Sequence, residues 1–395
     1  MSTPVYLHGL GLVCALGGDA ASVRRQLLRD DAPGGVAASE AFSPGRSLHL
    51  GMAAGQWQAS EDWPLPLRSR NNALLGGATA QLRATLEKEL DGVDPARIGV
   101  VIGSSTSGIA EGEAAIAALA RQGRMPPGFH YGQQDLYSAA RFVAAQAGAR
   151  GPAATVSTAC SSGAKALASG ARWLRAGLCD AVIAGGADSL CAFTVAGFSA
   201  LESVSAERCN PSSRNRRGIN IGEGAALFLL TRTPGAVRLS GWGESSDAHH
   251  ISAPEPQGRG AEAAMREALR RAGLAAADID YINLHGTATP HNDLAESLAV
   301  HRIFGERPWC SSTKPLTGHA LGAAGAIEAA FCWMLLQDNP DGRLPPHWWD
   351  GAADPALAPL RLVVPGARLG RPPRHLLSNS FAFGGNNACL LLSAE

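Results

Sequence analysis

Ser157-Thr158-Ala159-Cys160-Ser161-Ser162-Gly163 joins a run with strand character, Thr155 to Thr158, to one with helical spacing, Ser162 to Ala176. A strand passing directly into a helix is the unit from which a parallel, helix-covered sheet is built. Outward from this junction the alternation repeats. Val5 to Cys14 reads as an opening strand broken by glycines, Ser22 to Leu28 as a short helix, Asn72 to Leu90 as a longer one, and Ile98 to Ile102 as a strand buried on both faces. Ala32 to Pro66 is rich in turn residues, has no clear period and reads as surface loop. Beyond the junction come strands at Ala181 to Ala184 and Ala225 to Leu230, while Gly185-Gly186-Ala187-Asp188 and Gly222-Glu223-Gly224 read as tight turns.

After a polar turn, Thr231 to Gly235, a second round opens with a strand at Val237. Helices at Ala261 to Ala272, Asp293 to Phe304 and Ala320 to Leu336 separate a strand at Ile279 to Leu284 from a strand pair at Leu376 to Leu392. The fold class is therefore α/β, in two parts, residues 1–234 and 235–395, with no letter-by-letter repeat between them.

With 395 residues, 46% of them hydrophobic, the chain has ample material for one large core or two joined ones. Lys plus Arg equal Asp plus Glu at 34 each, so overall charge points to neither a nucleic acid nor an anionic membrane. Met1 to Leu12 lacks a basic region followed by an apolar run and cleavage site, and the apolar stretches elsewhere are short or broken by glycine; a cytoplasmic protein is expected. The eight cysteines lack the paired short spacings of a disulfide framework or zinc ribbon, so reduced thiols and no metal are expected.

Four turns carry candidate chemistry. Cys160 stands at or just before the first helical turn, where unpaired backbone N–H groups and the positive end of the helix dipole favour a thiolate. A cysteine taken alone is most often a buried packing residue, but here small, glycine-containing surroundings leave room for a substrate. His285, in Asn283-Leu284-His285-Gly286-Thr287-Ala288-Thr289-Pro290, follows a buried strand, the place where α/β proteins put ligands. His319, in Ser312-Thr313-Lys314-Pro315-Leu316-Thr317-Gly318-His319, precedes a helix and follows Lys314 by five residues. In Phe381-Ala382-Phe383-Gly384-Gly385-Asn386-Asn387, adjacent glycines let backbone N–H groups approach a ligand; the bland alternative is an ordinary hairpin.

In order and approximate separation these four stretches resemble the β-ketoacyl-acyl carrier protein synthases over nearly the whole chain. The resemblance implies a thiolase-like fold of two related halves, five-layered αβαβα, and a dimer of identical or related subunits. It implies a decarboxylative Claisen condensation, with malonyl-acyl carrier protein, of an acyl group held on Cys160, in fatty acid or polyketide chain elongation. His285 and His319 would contact the malonyl thioester carbonyl, supported by Lys314 and Glu328, with Glu296 matching another acid of the family. The backbone N–H groups of Cys160 and Phe383 would form the oxyanion hole, and Phe383 would gate acyl entry. Thr287, Thr289, Ser252, Gly384 and Gly385 would contact substrate. No cofactor is implied, because substrates arrive on the phosphopantetheine arm of acyl carrier protein. Arg68, Arg70, Arg121 and Arg124 are the docking charges by position. Pocket depth would depend on Ser105 to Ile109, and on Phe129 to Tyr131 reaching across the dimer.

Three positions depart from the family pattern: Arg217 stands where Asp is frequent, so a local ion pair is expected to be absent; Asn386 stands where Thr is usual; and His291 replaces a small residue. Asn215 to Glu223 with Ser246 to His250 resemble specialised members that build aryl polyene pigments. The rivals are a silent, chain-length-factor-like partner subunit, which typically lacks the nucleophilic Cys, and a thiolase, which needs a second Cys near its C-terminal glycine turn. A cysteine hydrolase or a metal-binding module fits the pattern less well.

Overall fold

The computed structural model describes residues 3–395; Met1 and Ser2 of the opening segment lie outside the described residues. The N-terminal half runs β1 (Tyr6–Val13), α1 (Ala20–Leu27), the small hairpin β2 (Ala37–Ser39) and β3 (Leu48–Leu50), α2 (Arg70–Glu89), β4 (Ile98–Gly103), α3 (Ile109–Gln122), α4 (Tyr137–Ala147), β5 (Ala153–Val156), α5 (Ser162–Arg175), β6 (Ala181–Asp188), α6 (Ala192–Ala200) and β7 (Gly224–Thr231). The C-terminal half runs β8 (Val237–Ser246), α7 (Arg259–Ala272), β9 (Tyr281–Asn283), α8 (Pro290–Phe304), β10 (Trp309–Ser311), the single turn α9 (Lys314–Thr317), α10 (Ala324–Leu335), β11 (Arg361–Leu362), β12 (His375–Ala382) and β13 (Asn386–Ala394).

The same strand order appears in both halves: β5-β4-β6-β7-β1 in the first, β10-β9-β12-β13-β8 in the second, with β11 added outside β10. In each, the outer pairs β5–β4–β6 and β10–β9–β12 are parallel. The remaining pairs, β6–β7–β1 and β12–β13–β8, are antiparallel. The halves meet edge to edge at one residue pair, Tyr6 with Arg238.

Because side chains alternate along a strand, each sheet half feeds two cores. On β7, Ala226, Phe228 and Leu230 point into the central core while Ala225, Leu227 and Leu229 point into an outer one. On β13, Leu390 and Leu392 join the central core and Cys389 and Leu391 the opposite outer one. Helices α2 and α4 cover the first outer face through Leu74, Leu75, Leu82 and Phe142, and α7 and α8 cover the second through Met265, Leu269, Val300 and Phe304. Helices α5 and α10 lie between the two sheet halves. The order helix, sheet, helix, sheet, helix is the five-layered thiolase-like architecture.

The central helices touch backbone to backbone. A Cβ added at Gly163 would lie 2.8 Å from the Ala326 amide nitrogen, and one at Gly325 would lie 2.9 Å from the Ala164 Cβ. Glycine here lets the start of α5, with Cys160 just ahead of it, lie against α10.

Several local expectations change. Gly185 to Asp188 is no turn but the second half of β6; a Cβ at Gly185 would meet the Ala226 carbonyl oxygen at 1.9 Å, so glycine serves strand contact there. The loop expected at Ala32 to Pro66 contains β2 and β3, with Leu48 and Leu50 buried. The helix expected from Ala320 starts at Ala324, after a 3₁₀ turn at Leu321–Ala323 in which Leu321 has φ 47°. No helix among the described residues is long and apolar enough to cross a membrane.

Candidate active site

Between β5 and α5 the chain turns sharply, and Ala159 takes φ 50°, a left-handed conformation that costs an L-residue energy. Side chains hold the turn: Ser162 Oγ donates to the Ala159 carbonyl at 2.6 Å, the Thr158 N–H donates to Ser162 Oγ at 2.9 Å, and Ser161 Oγ donates to the Thr158 carbonyl at 2.8 Å. This elbow leaves Cys160 6% exposed at the floor of a cavity. Burial pushes its thiol up to about 12, and Lys314 is the strongest opposing charge. The resting group is therefore a neutral thiol. The thiolate expected from its place before a helix is corrected by desolvation, which outweighs the local attractions.

His285 and His319 come from the turns after β9 and α9 and meet edge to face, ring centroids 5.3 Å apart. Burial, reinforced by the charge of Lys314, holds both well below the ordinary histidine range, so both are neutral. Lys314 Nζ lies 3.5 Å from His285 Nδ1. An ammonium there makes Nδ1 the acceptor and leaves the His285 proton on Nε2. Both ring nitrogens of His319 are buried without a partner among the described residues.

Lys314 and Glu328 form a buried ion pair at 2.6 Å, with side chains 1% and 3% exposed. Burial raises the Glu328 carboxyl above the ordinary carboxylate range, against the pull of Lys314. Glu296 accepts the backbone N–H groups of His285 at 2.8 Å and Gly286 at 2.7 Å, and Asn379 Nδ2 at 3.1 Å. It fixes the His285 turn from behind.

Cys160, His285 and His319 line one cavity of about 600 Å³, together with Phe383, Thr287, Thr289 and Ser252. Phe383 packs on Phe198 at 5.6 Å between ring centroids. Thr287 and Thr289 share a hydrogen bond of 2.9 Å. Arg217, His250 and His291 stand on the same wall. Gly384 and Gly385 do not line the cavity. The Gly384 N–H donates to the Ile251 carbonyl and the Gly385 carbonyl accepts from Asp247, so these two glycines shape the loop rather than touch substrate. Ser105 to Ile109 and Phe129 to Tyr131 are also outside the lining.

One docking arginine is corrected. Arg70 points inward and grips Glu223 with Nε at 2.8 Å and Nη2 at 2.5 Å, and Arg68 spends its fork on the carbonyls of Trp63 and Glu61. Arg70 is thereby charge-paired, while Arg68 keeps its unpaired charge, held against backbone carbonyls. Arg121 and Arg124 are exposed at and beyond the end of α3. The ion pair expected to be missing beside Arg217 is replaced one residue earlier, where Arg216 meets Asp354 at 2.6 Å.

Sequence reading passed over Asp188, which is fully buried. It accepts from Ser104 Oγ at 2.7 Å, Thr106 Oγ1 at 2.9 Å and the Gly322 N–H at 2.6 Å, tying the loop after β4 to the segment that carries His319. The run of hydroxyls at Ser104-Ser105-Thr106 after a buried strand was the available signal. Among the described residues no cluster of three or more His, Cys, Asp or Glu side chains could hold a metal ion.

Two family descriptions match the chain: "Beta-ketoacyl synthase, N-terminal domain" over residues 79–236 and "Beta-ketoacyl synthase, C-terminal domain" over residues 237–347. The chain is 35% identical over 420 residues to 3-oxoacyl-(acyl-carrier-protein) synthase 2 of Rhizobium meliloti (strain 1021), covering 98% of each. It is 32% identical to Nodulation protein E of Rhizobium sp. (strain N33), covering 99% of each. Among solved structures it superposes with TM-score 0.93 and 42% identity on the ketosynthase ApeO, in complex with its chain length factor ApeC, from Xenorhabdus doucetiae, over 100% of this chain and 98% of that one. The ishigamide ketosynthase/chain length factor follows at TM-score 0.88 and 26% identity, with both chains fully covered.

Proposed function

The chain belongs to the β-ketoacyl synthase family, and we propose how the cavity shared by Cys160, His285 and His319 carries out a condensation of that family. Cys160 Sγ attacks the carbonyl carbon of a carrier-bound acyl thioester; the old C–S bond breaks, and the thiol proton ends on the departing carrier sulfur. A malonyl thioester then enters. Its carboxylate leaves as carbon dioxide, and the electron pair of the broken C–C bond moves onto the thioester oxygen as an enolate. The Nε2–H of His285 and a ring N–H of His319 meet that charge where it forms, in a water-poor site where hydrogen bonds to charge are strong. The enolate carbon attacks acyl-Cys160. The resulting oxyanion faces the backbone N–H groups of Cys160 and Phe383; its collapse expels Cys160 as a thiolate, which takes a proton from water to restore the thiol, and leaves a β-ketoacyl thioester on the carrier.

The observation that carries this reading is the convergence of one sulfur and two neutral imidazoles on a single cavity. The rivals lose support from the same geometry. A silent subunit has no use for a cysteine on this elbow. A thiolase needs a second cysteine here, yet Cys389, the one nearest the C-terminal glycine turn in sequence, is buried in the outer core under α7. Intact-mass measurement after incubation with acyl carrier protein tests it: wild type gains an acyl mass, Cys160→Ala does not, and His319→Ala is acylated but forms no condensation product. Acylation of Cys160→Ala at the wild-type level sinks the assignment.

For pathway and partners, the 42% identity to the ketosynthase ApeO supports a specialised, aryl-polyene-type elongation with a chain-length-factor-like subunit as dimer partner. Ile116, Leu119 and Met125 in and after α3, Tyr131 and Tyr137, and Phe193 on α6 are exposed apolar side chains that such a subunit would cover. Acyl carrier protein is the substrate-bearing partner, with Arg121 and Arg124 as its docking charges. All eight cysteines are free, which supports a place in the reducing cytoplasm.

A further inference from the structure

Asn386, one of the three positions that depart from the family pattern, has a partner outside the set of residues assigned to the condensation. Its Oδ1 accepts a hydrogen bond from Lys165 Nζ at 2.9 Å. Lys165 lies on α5, five residues beyond Cys160, and Asn386 directly follows the loop Phe383–Gly385. That loop is tied by its backbone to the segment after β8: Gly384 donates to the Ile251 carbonyl at 2.7 Å, and Asp247 donates to the Gly385 carbonyl at 2.8 Å. Asn387 Nδ2 reinforces the tie through Asp247 Oδ1 at 2.7 Å. The bond from Lys165 runs the other way, to the helix that carries the nucleophile.

Two features make this contact reversible. Gly384 and Gly385 have φ 78° and 71°; a Cβ at Gly384 would meet only the Asn386 amide, while one at Gly385 would lie 2.9 Å from Asp247 Cβ, so the loop has open space at Gly384 and is anchored at Gly385. Lys165 is half-buried, and burial with the nearby charge of Arg172 pulls its ammonium below the ordinary lysine range. When the bond breaks, the ammonium can turn to water. A hydrogen bond to a charged group is strong enough to bias a loop and weak enough to be exchanged.

We infer that Lys165 and Asn386 form a latch that holds the Phe383–Gly385 loop closed over Cys160, shielding the acyl-enzyme from water until the second substrate displaces it. Lys165 is thus a positioning residue, and the inference rests on the assignment of Cys160 as the acylated nucleophile.

The test compares Lys165→Met, Asn386→Leu, the double variant and Lys165→Arg with wild type. Each is acylated with a carrier-bound acyl group, and the lifetime of the acyl mass on Cys160 is followed without malonyl carrier. Each single variant should shorten that lifetime roughly tenfold, the loss of one hydrogen bond to a charged group. The double variant should be no worse than either single one, and Lys165→Arg should restore most of the lifetime. The first acylation rate should stay within about twofold, since the change removes no group that touches the reacting atoms. Hydrogen exchange over Phe381 to Asn387 in the unacylated protein should quicken in Lys165→Met and not in Lys165→Arg. Wild-type lifetimes together with unchanged exchange in both single variants would overturn the latch, as would additive losses in the double one. Failure of wild type to acylate at all is a different result: it would remove the reading of Cys160 on which the latch rests.

Discussion

Cys160 shows how far a single residue can be read from its neighbours. Its place ahead of a helix and beside glycine marks it as reactive, and the elbow is where expected, with strain stored at Ala159. Its ionisation follows from burial instead, which pushes the thiol up to about 12. Alkylation by iodoacetamide should therefore keep rising about tenfold per pH unit beyond pH 9, because only the thiolate reacts. A plateau near neutrality would show a resting thiolate. The residues behind the histidines divide in the same way: Lys314, Glu296 and Glu328 were legible through motif resemblance. Their ionic state was not, because the upward shift of a carboxyl 2.6 Å from a lysine depends on the depth of the site.

At the scale of elements, strands and helices with a strong period were legible: α5, α7, β7 and the β12–β13 pair lie within a few residues of their expected positions. Helices α3, α4 and α6 were not assigned, and β6 was cut short at its glycines. Glycine reads locally as a turn signal, but at Gly185 it answers a neighbouring strand and at Gly163 a neighbouring helix, neither visible along the chain. Gly163→Ala should therefore cost about 1–3 kcal/mol by overpacking the α5–α10 contact, measured by urea unfolding. A loss below about 0.5 kcal/mol would mean that the two helices separate easily.

On the scale of the whole molecule, His347 ties segments far apart in sequence. Its Nδ1 accepts the Ser312 N–H at 3.0 Å and its Nε2 donates to the Pro211 carbonyl at 2.9 Å. Burial lowers it from 6.5 to about 4. The folded-state value lies below the unfolded one, so this stabilisation is complete above pH 6.5 and is lost as pH falls toward 4. His347→Gln, which does not titrate, should be the less stable protein at pH 7.5. Between pH 6.5 and 4 the gap should narrow by about 1.4 kcal/mol per pH unit, followed by denaturant unfolding at each pH. A constant gap would place the histidine outside its buried site.

By itself the sequence determined the layered α/β class, and through its family resemblance it pointed to Cys160, His285 and His319 as the candidates for nucleophile and imidazole pair, because each motif is a contiguous stretch whose turn chemistry is local. Only the tertiary structure decided that residues 160, 285 and 319 share one cavity, that Arg70 serves Glu223 rather than a partner, and that both halves repeat one strand order without repeating letters. These depend on contacts between segments distant in the chain, and on how much water burial removes, quantities that no local pattern carries.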